Sequence, residues 1–241
     1  MAGQLENAKV NVLLVGTFDP NTVGPDRLGE AKVIRSDEAA AARFKTLVPG
    51  QVTDFTLGWC TVTVTRERFA VESAEPPFVK ISDFIQKAIS ELMPQASVTA
   101  MGINRAYTIR FSSPEERDRF GTRLVPPSSW GNWGRRIQQT MATDDDKHGG
   151  VLNVTMKEFP IADREGGARH VTVAADVASN VSAQIIVNDH FQAPADSSLP
   201  AALEPDELAR RRTNVILRAL AEQFDASLNL LETIATEVVN G

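Results

Sequence analysis

The sequence predicts an α+β fold, with a mostly antiparallel sheet, helices packed on one side of it and a long C-terminal helix. Three observations support this prediction. Segments in which apolar and polar residues alternate follow one another directly, as in a meander, instead of alternating regularly with helices. Amphipathic or well-capped helical segments separate these groups of strands. An uninterrupted helical pattern runs from residue 205 to 239, with no proline or glycine between Pro205 and Gly241.

The N-terminal part of the chain contains the first group of strands and helices. Ser36 precedes an alanine-rich stretch and suits the N-cap of a helix. Arg66 and Glu67 mark a tight reversal between two alternating segments, which predicts a β-hairpin. We expect strands at 10–17, 55–65, 68–72 and 98–111, and helices at 36–47, 81–93 and 113–124.

The C-terminal part contains three further strand candidates before the long helix. They lie at 151–160, 169–178 and 182–191. A short helix-like piece at 135–141 and a polar stretch at 143–150 precede them. The expected organisation is an N-terminal α+β half at 1–142, a loop or boundary at 143–150, and a β-meander with the long C-terminal helix at 151–241. The alternative is one continuous domain.

Composition limits the class of protein. The 241 residues carry a formal net charge of −6, which argues against a general binder of nucleic acids or anionic membranes. No apolar run approaches the roughly 18 residues of a membrane span. The single cysteine, Cys60, excludes an internal disulfide, and its place beside a strand predicts an inert core thiol. We therefore expect a cytoplasmic protein that neither enters a membrane nor holds a cofactor.

The long C-terminal helix carries a heptad pattern of apolar residues, which we call the C-terminal stripe. The pattern is broken only at Ser227 and predicts a coiled-coil-like contact with another helix. A second copy of the chain is the expected partner, so the sequence predicts a homodimer. The alternative is that the stripe lies on the chain's own sheet. The residues expected to mediate self-association are Leu217, Leu220, Phe224, Leu231, Ile234 and Val238.

Two tryptophans lie close together in a segment rich in glycine and proline. Trp130 and Trp133 precede a basic pair, Arg135 and Arg136. Large rings on a short loop commonly contact a protein partner, and we expect at least one of the two to be substantially exposed. Two alternatives are open. The rings close one edge of the core, or they stack on nucleobases while the arginines bind phosphates.

Candidates for catalysis or metal binding are few. His170, Asp176, Asp189 and His190 lie on neighbouring predicted strands, where they could approach each other and bind a metal ion. The alternative is that the two aspartates bond backbone amides at strand ends. The acidic stretch 143–150 lacks the ligand spacing of a calcium loop. The sequence lacks the GxSxG, HExxH, CxxC and glycine-rich phosphate-binding patterns, so no catalytic residue is assigned.

Several short stretches, in order along the chain, carry a family resemblance. They are 68–71, Pro76 and Pro77, the helix residues Phe84, Ala88 and Ile89, the strand 102–107, the segment 187–191, and residues 221–224 of the long helix. In this order they resemble a sporadically distributed family of uncharacterised bacterial proteins. The resemblance implies an α+β fold and no established activity, so it transfers no site residue.

Three functions follow from these observations. The first is a non-enzymatic, self-associating protein that acts through protein–protein contacts, such as one component of a bacterial multiprotein system. The second is an enzyme, or a binder of a small ligand or metal, with a site among the strands at 169–191. The third is a nucleic-acid binder that uses the segment 130–136.

Overall fold

The computed structural model describes residues 3–141, 151–161, 166–176, 179–193 and 204–241. The strands in these ranges are β1 (Gln4–Thr17), β2 (Arg43–Val48), β3 (Val52–Thr56), β4 (Thr61–Thr65), β5 (Arg68–Ser73), β6 (Ser97–Arg110), β7 (Asn153–Glu158), β8 (Ala168–Ala175) and β9 (Ser182–Gln192). The helices are α1 (Pro25–Glu30), α2 (Ser36–Ala41), α3 (Val79–Leu92), α4 (Pro114–Leu124), α5 (Gly131–Met141) and α6 (Pro205–Asn240). Two short 3-10 turns, η1 (Pro20–Thr22) and η2 (Pro127–Trp130), lie in the same ranges.

All nine strands belong to one antiparallel sheet in the order β2-β3-β4-β5-β1-β6-β9-β8-β7. The predicted α+β fold, with a large antiparallel sheet and a long C-terminal helix, is therefore confirmed. Within the described ranges, no helix combines the length and the apolar character needed to cross a membrane.

Side-chain alternation gives the sheet one covered face and one open face. In β1, Val10, Val12 and Leu14 are fully buried, and the residues between them are partly exposed. β3 and β4 alternate in the same way. At the centre of the open face, the Asn104 side chain donates to the Asn11 carbonyl at 3.3 Å and accepts from the Asn188 amide at 2.6 Å. The buried face is the one that the helices cover.

The sheet consists of two similar halves. In the first, β1 pairs with the last strand of the meander β3-β4-β5, which α3 follows. In the second, β6 pairs with the last strand of the meander β7-β8-β9, which α6 follows. β1 and β6 pair antiparallel at the centre, where Asn11 lies opposite Asn104. The halves are thus related by an approximate two-fold axis, and Ser73 in β5 takes the position of Asp189 in β9.

The sheet crosses the expected boundary between the two parts of the chain, and the division into domains stays a prediction. β6, from the predicted N-terminal half, pairs with β9, from the predicted C-terminal half, so one sheet spans both. The structural halves divide between α3 and β6 instead. The expected boundary at 143–150 lies outside the described residues.

The helix layer consists mainly of α3 and α6. α6 lies across β6 and β9 and beside α3. Its buried residues recur every three or four positions, which is the pattern of an amphipathic helix on a core. They are Thr213, Ile216, Leu220, Phe224, Ser227, Leu228, Leu231, Ala235 and Val239.

The helix that the sequence predicts at 36–47 is shorter in the structure. The helix ends at Ala41, and residues 43–48 form β2 on the edge of the sheet. Phe44 lies opposite Phe55 of β3, with ring centroids 6.0 Å apart. Pairing with a neighbouring strand therefore outweighs local helical propensity in this segment. The N-cap is Arg35 rather than Ser36, and the Arg35 backbone N–H donates to the Glu38 carboxylate at 3.0 Å.

The single strand that the sequence predicts at 55–65 belongs to two strands in the structure. This segment divides into the end of β3 and the whole of β4. A turn separates them, in which the Leu57 N–H donates to the Cys60 carbonyl at 2.9 Å. The reversal expected at Arg66 and Glu67 joins β4 to β5, so the predicted hairpin is present.

Candidate functional site

The two tryptophans lie on a compact segment made of η2 and α5. Gly131 joins the two elements with a φ of 60°, a left-handed conformation that favours glycine. A side chain at Gly134 would collide with the carbonyl of Pro127, so this glycine lets α5 fold back tightly on η2. The local sequence therefore holds Trp130 and Trp133 close together.

Both indole rings face solvent, and we refer to them as the tryptophan pair. Trp130 is 56% exposed and Trp133 is 53% exposed. Their ring centroids lie 5.7 Å apart with an interplanar angle of 56°. In the part of the chain that the structure describes, α5 packs chiefly against η2. The expectation that at least one ring is exposed is confirmed, and the alternative that both rings close an edge of the core does not apply.

The tryptophan pair has basic neighbours. Arg135 and Arg136 are both exposed, and the Arg135 guanidinium donates to the side-chain oxygen of Asn132. No acidic residue occurs in the sequence between 124 and 141, although three aspartates follow at 144–146. The segment therefore combines two tryptophans with two arginines, and both residue types are enriched at the centres of protein interfaces.

The C-terminal stripe lies in the chain's own core. Leu220, Phe224 and Leu231 are at most 2% exposed. The remaining three, which are Leu217, Ile234 and Val238, pack partly buried against the same core. Packing on the chain's own sheet is the alternative that the heptad spacing left open. A second copy cannot reach the buried stripe unless α6 leaves the sheet, so self-association, which stays a prediction, requires another surface.

A buried polar network lies beneath α6, and the sequence did not predict it. Asp189 is fully buried, accepts a hydrogen bond from the Ser227 hydroxyl at 2.8 Å and forms an ion pair with Arg169 at 3.6 Å. Arg169 also pairs with Glu158 of β7. These contacts join β7, β8 and β9 to the middle of α6.

A second polar contact joins β6 to the same part of α6. The Arg105 guanidinium donates to the Leu228 carbonyl at 2.9 Å, pairs with Glu232 at 3.0 Å and lies 5.2 Å from the centre of the Tyr107 ring. Burial raises the pKa of the Tyr107 hydroxyl to about 12, so it stays protonated. One feature of the sequence could have predicted these buried polar contacts. A charged residue occupies a core-facing position of an apolar strand at Arg105, Arg169 and Asp189.

The four candidate metal ligands do not converge. His170 and His190 lie on the open face of the sheet, whereas Asp189 lies on the covered face. Asp176 follows the end of β8 and accepts from the Ser182 hydroxyl at 2.7 Å. Among the described residues, no group of three or more histidine, cysteine, aspartate or glutamate residues is arranged to hold a metal ion. Asp189 also lies within β9, not at a strand end as the alternative expected.

We expect Cys60 to resist thiol reagents in the folded protein. Its side chain is buried, and burial, with a smaller contribution from the Glu38 charge, raises the pKa of the thiol to about 12. Since only the thiolate reacts, alkylation by iodoacetamide at pH 8 should be slower than in the urea-unfolded chain by on the order of a hundredfold or more. Mass spectrometry of timed samples measures both rates, and similar rates in the two states would contradict this prediction.

The tryptophan pair and the buried network do not by themselves identify a family. The resemblance to a sporadically distributed bacterial family stays a prediction. A scan against models of protein families matches none of them, and a search of curated proteins finds no match.

Proposed function

We propose that this protein acts through protein–protein contacts, with a partner protein and with a second copy of itself, rather than by catalysis. Membership of a bacterial multiprotein system fits such a role, and a cytoplasmic location fits a chain with a single cysteine. The observation that carries the proposal is the exposed tryptophan pair beside Arg135.

Exposed indole area gives a partner a large gain on binding. Burying the exposed parts of Trp130 and Trp133 contributes on the order of 5 kcal/mol at about 25 cal/mol per Å². Tryptophan and arginine are also the residue types that most often dominate the energy of an interface. The glycines at 131 and 134 allow α5 to pack tightly on η2, and this packing holds the two rings close together, so a partner meets a partly preorganised surface.

A protein partner fits this surface better than a nucleic acid does. The chain has a net charge of −6, and the three aspartates at 144–146 begin three residues after the last residue of α5 in the sequence. Nucleic-acid binding draws most of its affinity from several phosphate contacts. Two arginines supply few such contacts, whereas the apolar rings suit an interface with a protein.

We expect the double substitution Trp130→Ala/Trp133→Ala to remove a partner without unfolding the chain. The rings are already largely in solvent, so the free energy of unfolding should change by less than about 1 kcal/mol. Quantitative affinity purification from the cells that make the protein, with wild type and variant compared by mass spectrometry, measures the loss.

The matched control is Phe44→Ala/Leu47→Ala, which removes exposed apolar area from β2 instead. It should retain the partner that the tryptophan variant loses. Identical partner sets for all three proteins would contradict the proposal. A large drop in the melting temperature of the tryptophan variant would assign the rings a role in folding. Binding of single-stranded RNA or DNA that depends on the two rings would favour the nucleic-acid alternative.

A further inference from the structure

The sheet ends in two edge strands that differ in how well they are protected. On β2, the register shifts between Phe44 and Thr46, and Arg43 and Lys45 add positive charge. A bulge and basic side chains are two of the devices by which proteins prevent an edge strand from pairing with another chain. The β2 edge is therefore protected.

The β7 edge lacks most of these devices. Its six residues pair with β8 without a register shift, and it contains no proline. Its one lysine, Lys157, is turned onto the ring of Phe159 at 4.9 Å. Leu152 and Met156 are 71% and 73% exposed. A regular edge with exposed apolar side chains is a template for strand pairing.

The backbone of β7 presents its outward groups at alternate residues. The Leu152 carbonyl accepts from the Ala175 N–H at 2.8 Å, so the groups of Leu152 point towards β8. In an antiparallel pair the direction alternates along the strand, so Asn153, Thr155 and Lys157 point their N–H and C=O groups outwards. In the described part of the chain, no strand pairs with this side of β7.

The side chains of β7 are complementary to a reversed copy of themselves. Leu152, Val154 and Met156 share the helix-covered side of the sheet, and Asn153 and Thr155 share the open side. This pattern reads the same in both directions from Val154. In an antiparallel pair centred there, Val154 faces Val154 of the second copy, Leu152 faces Met156, and Asn153 faces Thr155. Apolar meets apolar, polar meets polar, and no like charges stand opposite each other.

We propose that β7 is the self-association surface, and that two copies join β7 to β7 antiparallel about Val154, continuing one sheet through both chains. The inference rests on the self-association included in the proposed function. Two-fold symmetry of this kind is the commonest among soluble homo-oligomers, and here it pairs the unprotected edge strands of both copies with each other. The protected β2 edges are left at the two ends of the joined sheet.

Sedimentation of the 241-residue chain across micromolar concentrations tests the proposal. We expect a dimer, and Met156→Lys should raise its dissociation constant by about tenfold or more, because an apolar contact is lost on both sides of the two-fold axis. Thr155→Pro should do the same, since it removes an outward N–H without removing a backbone hydrogen bond to β8. The one bond to β8 that it loses joins the side-chain hydroxyls of Thr155 and Thr172 on the open face of the sheet. The matched control Leu47→Lys, on β2, should leave the constant unchanged. Circular dichroism checks that each variant is folded.

A cysteine cross-link tests the register. Opposite residues of a non-hydrogen-bonded pair have Cβ atoms about 4.5–5.5 Å apart, which is close to the spacing of a disulfide. Val154→Cys should therefore form a covalent dimer under mild oxidation. Asn153→Cys should not, because Asn153 faces Thr155 of the second copy. Wild type gives the background, since Cys60 is buried.

The outcomes separate this inference from the proposed function. A monomer at all concentrations overturns both the β7 contact and self-association, and leaves the tryptophan contact to its own test. A dimer that tolerates Met156→Lys and Thr155→Pro, and that does not cross-link through Val154→Cys, overturns the β7 contact alone. A dimer lost in both variants and cross-linked at position 154 supports it.

Discussion

Replacing Asp189 with alanine is expected to lower the free energy of unfolding by about 3–5 kcal/mol. The carboxylate is fully buried between β9 and α6 and bonds both the Ser227 hydroxyl and Arg169. Without this carboxylate, Arg169, whose side chain is only 10% exposed, retains its ion pair with Glu158. The Glu158 side chain is more than half exposed. A buried charge that loses its buried partner carries most of its desolvation cost uncompensated. Urea unfolding, with the slope m compared between the proteins, measures the loss.

Two further variants separate the charge effect from packing. Ser227→Ala removes one hydrogen bond to Asp189 and should cost about 1 kcal/mol. The double substitution Arg169→Met/Asp189→Leu replaces the ion pair by apolar groups and should recover much of the stability lost in the single variant. A loss below about 1 kcal/mol for Asp189→Ala would show that the network carries little of the stability.

Local alternation predicted much of the sheet. The strands expected at 68–72, 98–111 and 182–191 agree closely with β5, β6 and β9. Alternation succeeds here because one face of each strand is covered, so every second residue is apolar. The sequence did not predict β2, because all six of its residues are exposed. The alanine-rich segment before it suggested a longer helix. Only the pairing with β3 defines it as a strand.

The sequence also did not predict the relation between the two halves, because strand pairing defines it. Strand order and register, which depend on contacts between distant residues, reveal the repeat. Val71 and Val187 occupy equivalent positions, but Ser73 corresponds to Asp189, and the insertions between equivalent strands differ. The fold therefore repeats where the sequence does not.

The tryptophan pair, the buried network and the C-terminal stripe differ in whether neighbouring residues in the sequence are enough to predict them. The tryptophan pair was visible in the sequence because two rings and two glycines lie within five residues, 130–134. The buried network was not visible, because Asp189 meets Ser227 only after β9 and α6 have packed together. The C-terminal stripe was visible as a pattern, but apolar spacings of three and four residues suit a sheet as well as a second helix.

Leu231→Asp is expected to unfold the isolated chain rather than to separate a dimer. Leu231 is fully buried in the chain's own core, where α6 crosses the sheet. The substitution removes a buried leucine side chain, at a cost of about 2–5 kcal/mol, and adds the cost of a carboxylate in an apolar site. The total is comparable with the whole stability of a typical domain, about 5–15 kcal/mol. Circular dichroism and limited proteolysis should both show loss of the folded state at 25 °C.

The neighbouring residue supplies a closely matched control. Leu230 is 38% exposed on the outer side of α6, and Leu230→Asp adds the same charge to the same turn of the helix. A substitution there should change the free energy of unfolding by less than about 1 kcal/mol, since little apolar area is lost and the charge stays in water. The contrast between adjacent leucines therefore tests the side on which α6 is buried. A Leu231→Asp protein that is folded and monomeric, derived from a dimeric wild type, would show that the stripe packs between chains and would overturn its place in the core of one chain.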